Sequence, residues 1–185
     1  MNAINPETCV LVLVDYQQRL MPAIHGGADV LAQAVLLADI ARELGIPVVG
    51  TEQNPAGLGP NAEPVRARCD QTVPKMHFDA CADGLLEQLR VGGKQPAREA
   101  VVAGCEAHVC LLQTALGLLR AGLTVWVVAP ASGSRSATDH ELAMQRLRQA
   151  GAAIVSVEMV AFEWLRSCEN DRFRPVLELL KAVPR

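Results

Sequence analysis

The chain has 185 residues, 50% of them apolar, 20% charged and 3% aromatic, with a formal net charge of -3. That length suits one domain, residues 1–185, with an aliphatic core, and a weakly acidic chain with no basic cluster interleaved with aromatics argues against a nucleic-acid partner. No apolar run reaches the ~18 residues of a membrane span, Met1 to Glu7 shows no secretory signal, and six cysteines without a Cys-x-x-Cys pair read as free thiols, so a cytoplasmic protein without membrane partners is expected.

In chain order, short apolar runs alternate with amphipathic stretches, the pattern of strands and helices interleaved around a parallel sheet. Cys9 to Val14 is apolar at every position, as a strand covered on both faces must be. Val30, Ala34, Leu37, Ala38, Ala41 and Leu44 recur at helical spacing within Asp29 to Leu44; Gly45 stops that helix, and Pro47 to Thr51 is the second strand. Glu52 to Pro64 carries Pro55, Gly57, Gly59, Pro60 and Pro64, which predicts a long loop without regular structure. Gln71 to Pro74 is a short third strand, and Asp83 caps a helix through Arg90 that Gly92 and Gly93 end. Glu99 to Ala103 is the fourth strand, His108 to Ala121 a helix ended by Gly122, and Leu123 to Ala129 the fifth strand. After a loop from Pro130 to Ser136 come a helix capped near Thr138 or Asp139 and ended by Gly151, a sixth strand from Ala153 to Val157, and helices Val160 to Arg166 and Phe173 to Lys181.

Open parallel sheets bind ligands beyond the carboxyl ends of their strands, and three chemically capable residues fall there: Asp15 after the first strand, Lys75 after the third, and Cys110 one short turn after the fourth. Each has an ordinary reading as well: a loop or capping aspartate, a surface lysine, a small residue packing a helix's first turn. A thiol that opens a helix meets the positive end of the dipole and unpaired N–H groups, both of which favour thiolate. Lys75 is one of three lysines against fourteen arginines, and a compact ammonium fits between a carboxylate and a thiolate where a guanidinium would not. Together the three support covalent catalysis, with Asp15 taking the thiol proton, Lys75 stabilising the anions and Cys110 attacking an electrophilic carbon.

These residues stand in Leu13-Val14-Asp15-Tyr16-Gln17, Pro74-Lys75-Met76-His77-Phe78, and Gly104-Cys105-Glu106-Ala107-His108-Val109-Cys110-Leu111-Leu112-Gln113-Thr114-Ala115. In that order the chain resembles the isochorismatase-like cysteine hydrolases. It is more similar still to the isochorismatase-domain hydrolases, through Thr51 to Pro60, Ser134-Arg135-Ser136 and Arg146 to Gly151. The likeness runs from about Thr8 to Lys181. It implies an α/β, three-layer Rossmann-like fold with a six-stranded parallel sheet of order 3-2-1-4-5-6, an Asp15, Lys75, Cys110 triad, and a cis peptide between Cys105 and Glu106. Backbone N–H groups of Glu106 and Cys110 would then hold an oxyanion, and a homo-oligomer, dimer or larger, is implied. Nicotinamidases carry an Asp-x-His metal motif where this chain has Glu52-Gln53-Asn54-Pro55, which argues against zinc and nicotinamide. Isochorismatases themselves lack the thiol, so its retention points to hydrolysis of a C–N bond in a small molecule.

Further pocket candidates are Gln17, Glu52, Gln53, Phe78 and His108. A zinc site on Cys105, His108 and Cys110 lacks a fourth ligand, and Cys105 reads instead as packing under the sheet's edge. Neither a Gly-rich turn after the first strand, nor a P-loop, nor a Gly-x-Ser-x-Gly elbow is present, so no cofactor is expected. Phe162 and Trp164 suit core or a subunit interface. Two readings from other classes stay open: a binding protein on the same fold, and a redox-sensing thiol with Cys105 resolving Cys110.

Overall fold

The computed structural model describes residues 3–182. Its six principal strands are β1 (Cys9–Val14), β2 (Val48–Gln53), β3 (Gln71–Lys75), β4 (Glu99–Gly104), β5 (Thr124–Val128) and β6 (Ala153–Val155). All neighbours are parallel, in the order β3-β2-β1-β4-β5-β6, as the resemblance implied. Strand order therefore reverses between β1 and β4, where a crevice opens beyond the strand ends.

Alternation along each strand sends side chains to two faces. Leu11, Leu13, Val101 and Ala103 pack under α1 (Gly27–Glu43). Val10, Val12, Val14, Ala100 and Val102 pack under α2 (Leu112–Arg120) and α3 (Ala137–Gln149). Two more helices, α4 (Val157–Leu165) and α5 (Phe173–Ala182), join α1 on the first face, completing three layers. At the reversal point Val14 is in register with Thr51 of β2 and with Gly104 of β4. A Cβ on Gly104 would lie 2.4 Å from the Val14 carbonyl oxygen, so the close approach of β1 and β4 requires glycine there.

Several boundaries differ from the sequence expectation, each for a local reason. β2 runs two residues past Thr51 because Glu52 and Gln53 pair with Pro74 and Lys75. The expected loop that follows contains two single helical turns, Pro55–Leu58 and Glu63–Arg66, whose prolines sit in the first turn, where a missing N–H does no harm. Asp83 caps no helix. It closes a 3-10 turn, Ala80–Asp83, capped by Asp79, whose carboxylate accepts from the Cys81 N–H at 2.9 Å; only Leu85–Gln88 is α-helical. Beyond it, Arg90–Val91 and Gln95–Pro96 form a small hairpin around Gly92 and Gly93, both with positive φ.

The helix expected from His108 opens as a π-helical turn, Ala107–Leu111. α3 is capped by Ser136, whose hydroxyl accepts from the Asp139 N–H at 3.1 Å, rather than by Thr138 or Asp139. β6 stops at Val155 because Ser156 caps α4, accepting from the Met159 N–H at 3.2 Å, so Val157 is helical. Trp164 is buried in the core, while Phe162 is 43% exposed and lies outside it. Among the described residues no helix is long and apolar enough to cross a membrane.

Candidate functional site

Asp15 is the first residue after β1 and has φ of 55°, a left-handed conformation that a non-glycine residue adopts only under constraint. That turn drives the carboxylate into the interior. Oδ1 accepts from the Thr51 hydroxyl at 2.6 Å, and Oδ2 forms an ion pair with Lys75 Nζ at 2.7 Å. Lys75 ends β3, and both charged side chains are fully buried. Its ammonium also donates to Gln53 Oε1 at 2.6 Å and faces the His77 carbonyl at 3.4 Å. Cys110, in the π-helical turn, is 5% exposed; its sulfur lies 3.9 Å from Gln53 Oε1 and near enough to Asp15 and Lys75 for both to act on its ionisation. The three residues thus meet from strands that end side by side.

The thiol's electrostatics correct the sequence expectation. Burial pushes the Cys110 thiol up to about 12, the Asp15 carboxylate pushes in the same direction, and the Lys75 ammonium pulls it back. A helix terminus contributes ~0.3–1 kcal/mol at the surface, less than the cost of burying a sulfur anion beside a carboxylate. Burial thus favours a neutral thiol beside the Asp15–Lys75 pair.

The segment from Gly104 to His108 is held from the side by residues 133–135. The Gly133 N–H donates to the Gly104 carbonyl at 3.1 Å, and the Gly133 carbonyl accepts from the Ala107 N–H at 2.6 Å. Arg135 Nε meets Glu106 Oε1 at 2.5 Å, and His108 Nδ1 lies 3.0 Å from the Ser134 hydroxyl. The peptide between Cys105 and Glu106 is cis. Cys105 is fully buried just past the end of β4, a central strand rather than a sheet edge.

The other pocket candidates divide by role. Gln53 reaches Lys75 and Cys110 directly. Gln17 is fully buried, and its amide pairs with the Gln53 backbone at both N–H and carbonyl, 2.9 Å each, and with the Gly59 carbonyl, so it braces the chain beyond β2 instead of facing a ligand. Glu52 turns its carboxylate to the Asn61 N–H at 2.8 Å. His108 engages Ser134, and Phe78 is 50% exposed on the segment after β3. Thr51 escaped sequence reasoning; its one signal was a hydroxyl residue at the end of an otherwise apolar strand. Among the described residues no group of three or more His, Cys, Asp or Glu is placed to hold a metal ion. A depression of about 450 Å³ beside the end of β3 is lined in part by Pro55, Lys75 and Met76; Lys75 is the one member of the trio that borders it.

Residues 9–159 match the isochorismatase domain. The chain belongs to the isochorismatase family. It is 32% identical over 176 residues to isochorismatase domain-containing protein 2A of Mus musculus, covering 95% of this chain and 84% of that protein. Identity to isochorismatase domain-containing protein 1 of Danio rerio is 35% over 181 residues, 97% of this chain but only 63% of that longer protein. A structure described as the MAR1 ribonuclease of Caenorhabditis elegans superposes with a TM-score of 0.91 at 31% identity, covering 100% of this chain and 95% of that one. The YcaC gene product of Escherichia coli, described as an octameric hydrolase of unknown specificity, shares the fold with a TM-score of 0.84 at 21% identity, covering 97% of this chain and 95% of that one. Isochorismatase-family membership supports the broad class of hydrolase.

Proposed function

We propose that this isochorismatase-family protein is a cysteine-dependent hydrolase of a C–N bond in a small amide-type substrate, acting through Asp15, Lys75 and Cys110. The observation that carries it is the fully buried Asp15–Lys75 pair against the Cys110 sulfur. Burying such a pair is a poor route to stability, because desolvation offsets most of its attraction, so its retention beside a thiol supports a chemical role.

In the cycle, Asp15 Oδ2 accepts the thiol proton as the sulfur adds to the substrate carbonyl, which suits a thiol that is neutral at rest. Lys75 holds the charge on acid and sulfur. The N–H groups of Glu106 and Cys110 stabilise the oxyanion; the neighbouring N–H groups of Ala107, Val109 and Leu111 are already engaged by the carbonyls of Gly133 and Glu106. Collapse expels the amine, protonated by Asp15, and leaves a thioester. Asp15 then deprotonates water, whose oxygen displaces the sulfur to give a carboxylic acid and regenerate the thiol. A homo-oligomer is proposed on exposed Met76 and Phe78 near the crevice and Met159 and Phe162 on α4.

RNA cleavage is the second reading, favoured by the 31% identity to a structure described as a ribonuclease. The test is a panel of small amides, ureido acids and imides together with single-stranded RNA, with Cys110→Ala as the blank. Turnover of an amide should fall by about 10³ or more in the variant, with its thermal unfolding unchanged. Full turnover by the variant sinks covalent catalysis. Cys110-dependent cleavage of RNA alone moves the substrate to the second reading.

A further inference from the structure

We propose that Gln53 is a positioning residue for this site: its amide oxygen fixes the Lys75 ammonium between Asp15 and Cys110 while keeping the count at one carboxylate per ammonium. The proposal rests on the cysteine-hydrolase reading above.

An ammonium has three N–H donors. Nζ donates to Gln53 Oε1 at 2.6 Å and to the His77 carbonyl at 3.4 Å, and lies 2.7 Å from Asp15 Oδ2 as its ion-pair partner, with the Cys110 sulfur beside it. Gln53 can serve only in this orientation, because Nε2 donates to the Met76 carbonyl at 2.8 Å. A flipped amide would set NH₂ against the ammonium and oxygen against a carbonyl. The backbone is pinned as well, since Gln17 pairs with both the N–H and the carbonyl of Gln53. Register does the rest: Gln53 and Lys75 are direct partners across β2 and β3, so their side chains share one face.

The acceptor's neutrality matters as much as its place. The titratable groups around Gln53 Oε1 are Lys75 from β3 with its ion-pair partner Asp15, and the neutral Cys110 thiol from the π-helical turn. Glu52 is turned away to Asn61, and Asp83 is held by the N–H groups of Met76 and His77 and by the His77 ring. A carboxylate in place of the amide would share the single ammonium with Asp15 and oppose a third negative charge on sulfur.

The test is alkylation of Cys110 by iodoacetamide at pH 8 in the full chain, followed peptide by peptide so that exposed Cys168 is counted separately. Gln53→Glu, nearly isosteric, should slow the reaction about tenfold, the factor that one further unit on the thiol imposes below its titration. Gln53→Leu, which removes the acceptor without adding charge, should slow it by a clearly smaller factor although it changes the side chain's shape more. A loss in the leucine variant equal to or greater than that in Gln53→Glu would mean a purely structural role and overturn the proposal. Should the leucine variant fail to fold, Gln53→Glu alone decides, and a loss under about threefold overturns the proposal. No substrate enters this measurement, so it is separable from the Cys110→Ala turnover test that bears on the hydrolase reading.

Discussion

At the amino-terminal end of β2 and β3, a cleft of about 620 Å³ lies between Pro47, Asp70, Gln71, Glu87, Gln88 and Arg90, whereas at the carboxyl end the trio of Asp15, Lys75 and Cys110 is almost sealed. The polar groups of the larger cleft are exposed, solvated and conventionally placed. Those of the smaller crevice are stripped of water and held by hydrogen bonds from β2. Volume alone points to the opposite end from the buried charges. What separates the two regions is desolvated charge, which a protein retains at a cost of several kcal/mol per ion and which therefore marks the end where chemistry is expected.

The sharpest way to break this contrast is Lys75→Met. It leaves Asp15 buried without its partner, and the expected loss is about 3–5 kcal/mol in urea unfolding together with loss of turnover. A loss under 1 kcal/mol would mean that water reaches the pair and that the two ends differ little. Thr51→Val tests the hydrogen bond to Asp15 Oδ1. About 1.5–3 kcal/mol is expected for a bond to a charged group, with the activity profile altered because the carboxylate is freed to rotate.

Alkaline pH sharpens the comparison differently, because buried thiols lie at both ends. Burial raises Cys9 at the start of β1 and Cys105 and Cys110 near the crevice from 9.0 to about 12. Above pH 9 the unfolded chain releases thiol protons that the folded chain keeps, so stability is full below that pH and declines from 9 toward 12. Unfolding midpoints measured from pH 8 to 10.5 should fall, and a flat profile would contradict the burial of these thiols. Cys110 should be alkylated before Cys9 or Cys105, since only its sulfur has the Lys75 ammonium at hand. The smallest effect is reserved for the larger cleft: Gln88→Ala should shift stability by less than about 0.5 kcal/mol and leave turnover unchanged.

Much of this was legible in the residues because β1 is apolar throughout and ends abruptly. Asp15 interrupts that run, Lys75 closes the short third strand, and strand ends in a parallel sheet fall on one rim. Thr51, Gln53 and Gln17 were harder. Which residue sits opposite which depends on register, and a strand buried on both faces lacks the alternation that would specify it. Prolines 55 and 64 misled for a related reason, since a residue that ends one helix equally well begins another. The state of the Cys110 thiol was misjudged because a helix dipole can be read from local order, while the burial that outweighs it arises only when distant segments close over the sulfur.

Gly104 carries a last implication. With no room for a Cβ beside the Val14 carbonyl, the spacing of β1 and β4 works as a ruler, holding the acid that follows one strand at a set offset from the sulfur that follows the other. An added methyl at that one position would act as a shim, prying apart two reactive groups it never touches, so the tolerances of the chemistry are written into an atom the chain leaves out.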